Sequence, residues 1–343
     1  MEGRRNLERI SNKESNEEDR RKNLRRKKMK TFNQTIKASV AALLALSLTA
    51  CFSGTGSTTS TEKKTGTTSS YAYLLDTTGL EFAKVDTENA EGALKTILEE
   101  GVLTVATSPD YPPAEWIADD GTVYGSEMML AKYIADSLGV DLKIETMDFS
   151  GTLVAVDTGK VDLAMSGYGW KKDRAENYEL SNGYSGDPDG EAAKHTLIVP
   201  AGQEGNYKSL ADFEGKHIMA QATSLQEMYV TDQIVANDSS TEYEPVATLD
   251  QAILGLASGK CDAVALDNST AENYVESSEG QFALTKVYFD LSAYGDYQGN
   301  VAAAKKGETS LIEAVNAVIK VAQEKGYYEQ WYTEAKAAAG IEE

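Results

Sequence analysis

Val156-Asp157-Thr158-Gly159-Lys160-Val161-Asp162-Leu163-Ala164 recurs as Leu256-Ala257-Ser258-Gly259-Lys260-Cys261-Asp262-Ala263-Val264, and this pair of stretches decides the fold. The Gly-Lys-x-Asp cores lie 100 residues apart. In each, an apolar helical run ends at a glycine and a buried-strand pattern starts two residues later. Three shared identities are a weak signal alone. The matching helix-turn-strand context predicts two similarly built α/β lobes, and a chain of 343 residues is long enough for both.

The same alternation continues on either side. A helical pattern at 92–100 stops at Gly101, and Val102-Leu103-Thr104-Val105-Ala106 reads as a buried strand. Residues 126–138 place Leu130, Ile134 and Leu138 on one helical face before Gly139, and 140–147 alternates like a strand. A helix beginning at 153–156 leads to Gly159, followed by a strand over 161–165. Residues 310–319 and the stretch through Tyr327, Tyr328 and Trp331 read as C-terminal helices. Strands alternating with helices imply mainly parallel sheets flanked by helices. The expected division is a first lobe of 71–190 plus 300–343 and a second of 195–290. A hinge of two segments, near 186–196 and 288–299, would join them.

The N-terminus reads as an address. Residues 38–50 are a 13-residue uncharged run preceded by Lys30 and Lys37. That is shorter than the roughly 20 residues of a membrane-spanning helix, and it has the layout of a secretory signal peptide within 1–50. The run ends in Leu48-Thr49-Ala50-Cys51, which resembles the lipobox of bacterial lipoproteins; the alternative is that Cys51 is a buried structural cysteine. The charged prelude 1–28 fits poorly, whereas Met29-Lys30-Thr31 would make an ordinary start, so 1–28 reads as an upstream extension. Residues 52–70 are almost entirely Ser, Thr and Gly, a flexible tether following the lipidated cysteine. The expected location is the extracytoplasmic face of the cell membrane, periplasmic if the host has an outer membrane.

Charge narrows the partners. Residues 1–50 carry 13 of the 33 basic and 6 of the 54 acidic residues; the remainder carries 20 bases against 48 acids, a balance of −28. Such a surface repels phosphate backbones, which excludes nucleic acid. Nineteen of those 20 bases are lysines, and Arg174 is the single arginine after position 50. Either it is a surface arginine left by chance, or its planar two-pronged donor geometry is needed. His195 and His217 lie 22 residues apart, without partners at metal-ligand spacing, so no metal site is expected. Cys51 and Cys261 exclude a disulfide framework, and Cys261, in a strand-like run, reads as a small buried apolar residue.

VATSPDYPP (105–113), GKVDLAMSGYGWKKDR (159–174), SLADFEGKHIMAQ (209–221), GKCDAVALD (259–267) and KGYYEQW (325–331) together resemble the polar amino-acid solute-binding proteins of ABC importers, family 3 of the bacterial extracellular solute-binding proteins. The resemblance spans roughly 94–339 and implies the two-lobed type II periplasmic-binding fold. It also implies a function: a free amino acid is captured between the lobes and delivered to the permease subunits of an ABC transporter by a lipid-anchored monomer, with no cofactor. Carried over residue by residue, Arg174 matches the clamp for the ligand's α-carboxylate, a geometry suited to two parallel charge-assisted hydrogen bonds. Ser166 and Gly169 match strand-end pocket residues. Thr223 and Ser224 match a turn whose N–H groups and hydroxyls hold the carboxylate from the other lobe; plain helix capping is the competing reading. Asp267 matches the partner of the α-ammonium, or is only a turn residue. Tyr111 and Phe149 match aromatics over the ligand's side chain, or are core packing.

The sequence departs from the family's pattern at Ala114, Ser126 and Asn182, in the bulk of Trp170, and in a longer loop at 184–194. A rival reading is a dehydratase of small carboxylic acids on the same fold, for which Asp110, Glu115 or Asp267 would have to be a general acid of raised pKa. No nucleophilic triad is visible. A receptor's sensing domain and a purely structural lipoprotein are further alternatives; the first would require a transmembrane helix after the domain.

Overall fold

Glycine ends the helices where the sequence places it, because the chain turns there through left-handed backbone that other residues rarely adopt: Gly101 has φ 74° and Gly139 φ 71°. The computed structural model describes residues 71, 73–118, 120–185, 194–294 and 299–340. The expected signal peptide, Cys51 and the expected tether lie outside the described residues, as do parts of both expected hinge segments.

In the first half of the chain, α1 (Gly92–Glu100) leads into β1 (Val102–Thr107), followed by a small antiparallel sheet of β2 (Asp110–Tyr111), β3 (Glu115–Ile117) and β4 (Val123–Tyr124). Then come α2 (Ser126–Leu138), β5 (Asp141–Thr146), α3 (Phe149–Asp157), β6 (Leu163–Ala164), α4 (Lys172–Asn177) and β7 (Tyr178–Leu180). The second half holds β8 (His195–Pro200), β9 (His217–Gln221), α5 (Leu225–Val230), β10 (Glu242–Val246), α6 (Leu249–Ala257), β11 (Ala263–Asp267), α7 (Asn268–Ser277) and β12 (Phe282–Tyr288). The chain then returns through β13 (Ala303–Lys305), α8 (Thr309–Glu324) and α9 (Tyr327–Ala339).

Two five-stranded sheets result, ordered β5-β1-β6-β13-β7 and β10-β9-β11-β8-β12. β5 and β6 run parallel to β1, and β9 runs parallel to β10 and β11. The first strand after each crossing between the two sheets is the antiparallel one: β13 opposes both β6 and β7, and β8 opposes both β11 and β12. Both faces of each sheet are covered, as period-two alternation requires. Val105 packs with Leu130, Ile134 and Val315 on one face of the first sheet while Ala106 packs with Val156 and Tyr168 on the other. In the second sheet, Ala263 and Ala265 face Phe213 and Tyr229 while Val264 and Leu266 face Leu249 and Leu256.

The repeated Gly-Lys-x-Asp has one job in both lobes. Gly159 (φ 70°) and Gly259 (φ 73°) turn the chain out of α3 and α6. Asp162 then donates its N–H to the Thr104 carbonyl (2.9 Å) and accepts the Thr104 N–H on Oδ2 (2.7 Å). Asp262 does the same with His217, at 2.8 and 2.9 Å. Each aspartate thus pins its strand beside the start of the neighbouring one. Cys261, just before β11, is buried and free, and burial pushes its thiol up to about 11.

Besides α8, which runs on from the expected 310–319 to Glu324, the main departures from expectation are two. α3 begins at Phe149, four residues before Leu153, because Asp148 caps it by accepting the Gly151 N–H at 2.9 Å. The strand expected over 161–165 pairs as a ladder only at Leu163 and Ala164, since Val161 and Asp162 still belong to the turn.

Candidate functional site

The parallel ladders bring the C-terminal ends of β1, β6, β9 and β11 to one crevice, the place where open α/β sheets leave backbone groups free for a ligand. A small cavity lies there. Tyr111, Phe149, Ser166, Gly169 and Arg174 line it from the first lobe; Ser224, Gln221 and Leu225 line it from the second.

Arg174 sits on the short α4, which follows the turn Ser166-Gly167-Tyr168-Gly169. That turn needs its glycines: Gly167 has φ 64° and a Cβ there would lie 2.6 Å from the Tyr111 ring, while a Cβ on Gly169 would lie 2.4 Å from Cδ1 of Leu225 in the opposite lobe. The guanidinium is only 3% exposed. Its Cζ lies 4.8 Å from the Tyr168 ring centroid and 6.0 Å from that of Phe149. Nη1 donates to the Gly169 carbonyl, Nη2 to the Thr223 carbonyl at 3.1 Å, and Nε is buried without a protein partner. Among the described residues no carboxylate forms an ion pair with it, and burial pulls its pKa below the ordinary arginine value. A buried cation held only by carbonyls is incompletely compensated.

Around it are buried acids. Ser166 accepts the Ser108 N–H (2.9 Å) and donates Oγ to Glu115 Oε1 (3.3 Å). Glu115 is fully buried, its Oε2 has no partner, and its pKa stands well above the usual 4.5, first through burial and then through Glu127 and Asp110. Glu127 accepts from the Gly167 N–H (3.1 Å) and Asn300 Nδ2 (2.7 Å); burial lifts it to about 7. Asp110 accepts from Ser108 Oγ, Gln221 Nε2 and the Leu249 N–H, and burial lifts it to about 6. Asp267 is raised by burial too, against the lowering pull of the Tyr111 hydroxyl and of Thr270, whose N–H meets its Oδ1 at 3.0 Å.

Six of the eight ligand-site candidates line the cavity: Tyr111, Phe149, Ser166, Gly169, Arg174 and Ser224. Thr223 and Asp267 do not. Thr223 stands in the left-handed region (φ 65°) with its side chain exposed; its N–H goes to Glu227 Oε2 and its carbonyl to Arg174. Ser224 caps α5 by accepting the Glu227 N–H at 3.1 Å, so the capping reading holds for it beside its place in the cavity wall. Asp267 lies behind Tyr111 and caps α7. Sequence reasoning missed Gln221, His195, Asn300 and Glu127. Gln221 ends β9 beside the Ala222-Thr223-Ser224 turn, a position that could have marked it. His195 opens β8, with Nδ1 3.1 Å from Gln226 Nε2, and burial holds the imidazole neutral by dropping its pKa to about 3.

Several proteins similar to this chain are named as amino-acid-binding proteins. The chain is 26% identical over 246 residues to the L-cystine-binding protein TcyJ of Escherichia coli (strain K12), covering 71% of this chain and 86% of that one. It is 25% identical to the arginine-binding extracellular protein ArtP of Bacillus subtilis (strain 168), covering 68% and 87%. Among solved structures it matches the amino acid ABC transporter substrate-binding protein AbpA of Streptococcus pneumoniae, bound to L-arginine, at 30% identity and a TM-score of 0.64, over 73% of this chain and all of that one. The family model for bacterial extracellular solute-binding proteins, family 3, matches residues 103–335, from the first strand of the first lobe to its last helix. The chain belongs to that family.

Proposed function

We propose that this chain is the substrate receptor of an ABC importer, anchored on the outer face of the membrane by a lipid on Cys51, and that it takes a free amino acid with a cationic side chain. One observation carries the choice of ligand. Asp110, Glu115, Glu127 and Asp267 are buried one hydrogen bond behind the cavity's lining residues Gln221, Ser166, Gly167 and Tyr111, against a single guanidinium. A zwitterion leaves that excess of acid uncompensated; a ligand with one more positive charge answers it. The relatives named for arginine agree with this reading.

In this reading the α-carboxylate displaces the carbonyls from Arg174 and takes its free Nε as well, with Ser166 and Ser224 as further donors and Gly169 shaping the wall. The turn at Thr223 reorients as the carboxylate arrives. Asp267 answers the α-ammonium from the second lobe. Tyr111 and Phe149 flank the side chain, whose cationic end reaches Glu115. Because these groups belong to both lobes, the ligand binds the closed arrangement better than the open one, and that difference drives closure. A thermal-shift panel of L-arginine, L-lysine, L-histidine, L-cystine, L-glutamine and L-glutamate tests this. At 100 times its dissociation constant a true ligand stabilises the fold by about 2.7 kcal/mol. A shift from glutamate alone, or from none of the panel, would defeat the reading.

The dehydratase alternative has one observation in its favour: Asp110, Glu115 and Asp267 all have raised pKa values, as a general acid requires. Recovery of the bound ligand unchanged after prolonged incubation separates the two.

A further inference from the structure

Asp110 stands at the seam between the lobes. It lies on β2 of the first lobe, yet two of the three donors to its carboxylate belong to the second: Oδ2 accepts the Leu249 N–H that opens α6 (2.7 Å) and Gln221 Nε2 at the end of β9 (3.1 Å). The third, Ser108 Oγ, bonds Oδ1 at 3.0 Å from its own lobe. Its neighbours cross the same seam. The Asp110 carbonyl accepts from the Tyr274 hydroxyl of α7 (2.9 Å), and the Pro112 carbonyl from Thr270 Oγ1 (3.3 Å). Separating the lobes breaks all four of these cross-lobe contacts and returns the carboxylate to water.

The groups facing Asp110 have one sign. Asp250 approaches from α6 and Glu115 from β3; Tyr274 faces it from α7, and Ser108 and Gln221 are neutral. Among the described residues no lysine or arginine forms an ion pair with it. Closing the crevice therefore moves an anion out of water into a space shared with other acids, with only neutral donors in exchange.

We propose that closure of the lobes takes up a proton at Asp110, so that mild acid favours the closed form over the open one. The sign follows from linkage. Burial lifts Asp110 from 3.8 to about 6 in the closed arrangement, while in the open one its carboxyl keeps an ordinary value near 4. The closed form thus binds more protons between those two values. As pH falls through that window, the closed-to-open ratio rises by up to about tenfold per pH unit, and above about pH 7 it is flat. The effect belongs to the ligand-free protein and does not depend on which ligand fills the cavity.

Small-angle X-ray scattering of the ligand-free chain, titrated from neutral pH to about pH 4.5, tests it against Asp110→Asn. The radius of gyration of the natural protein should fall with acid, and the variant should already be compact at neutral pH and stay so. A natural protein that ignores pH or opens in acid overturns the proposal, as does a variant that titrates identically or stays open throughout. Should Asp110→Asn fail to fold, Gln221→Leu removes one donor from the other lobe and leaves the carboxyl in place. The closed arrangement then holds the anion less well, so the variant must be more open at neutral pH and its pH dependence must extend to higher pH; a titration unchanged in both respects is equally fatal.

Discussion

Arg174 of the first lobe donates through Nη2 to the main-chain carbonyl of Thr223 in the second, 3.1 Å away, so the guanidinium proposed to clamp a ligand's carboxylate already bridges the two lobes. Lysine in its place offers one ammonium instead of a planar fork. Arg174→Lys is expected to weaken amino-acid binding at least about tenfold, read by calorimetry. The ligand-free melting temperature should move by no more than about 4 °C. Undiminished binding would remove Arg174 from the clamp.

Gly169 sets how closely the lobes approach. Its absent Cβ would fall 2.4 Å from Leu225 Cδ1. Gly169→Ala should therefore wedge the crevice and weaken binding about tenfold, and Leu225→Ala should restore it in the double variant, the coupling expected of residues in contact. If the double variant binds no better than Gly169→Ala alone, the wedge is not the cause.

Glu115 is the test of ligand charge. Glu115→Gln keeps the shape and the Ser166 contact but removes a carboxyl that can ionise against an incoming cation. Affinity for L-arginine is expected to drop about tenfold or more, and affinity for L-glutamine to hold or rise. Equal losses for both ligands would mean that Glu115 supports the wall without choosing what enters.

His195 predicts how stability responds to acid. Its folded pKa, near 3, lies below the ordinary 6.5, so the unfolded chain binds the extra proton between those values. Stability is then fully present above about pH 6.5 and lost as pH falls, by up to about 1.4 kcal/mol per unit. Glu127 works in the opposite sense: its folded value near 7 stands above 4.5, so its contribution is present in acid and lost as pH rises through 7. Denaturant melts of His195→Gln across this range should show the variant gaining on the natural protein below pH 6.5. A constant difference would mean that the imidazole is not held neutral.

Cys51→Ser removes the thiol that would carry a diacylglycerol. Cell fractionation should then find the protein released from the membrane rather than bound to it, with ligand binding unaltered. Continued membrane association would rule out the anchor.

Much of this molecule was legible before any coordinates, and the reason is local. Gly101 and Gly139 end helices because left-handed turns are cheap for glycine, and the duplicated Gly-Lys-x-Asp exposed the two lobes because the same turn performs the same pairing twice. The start of α3 was not legible, since Phe149-Ser150-Gly151-Thr152 is a poor helical run that only the Asp148 cap brings into register. Arg174 stood out by composition. Glu127 and Asn300 did not, because what joins them is tertiary: 173 positions separate the partners of that hydrogen bond. The use of the Thr223 N–H by Glu227 was hidden for a different reason, as capping and ligand contact ask for the same residues.

Beyond residue 50 arginine occurs once, at position 174, and the folded protein keeps it inside the crevice. An arginine-specific protease therefore has one bond to cut beyond residue 50, between Arg174 and Ala175, and must open both the crevice and the short helix that carries it. The rate of that single scission is a gauge of breathing that the molecule carries without any label, and any true ligand should slow it.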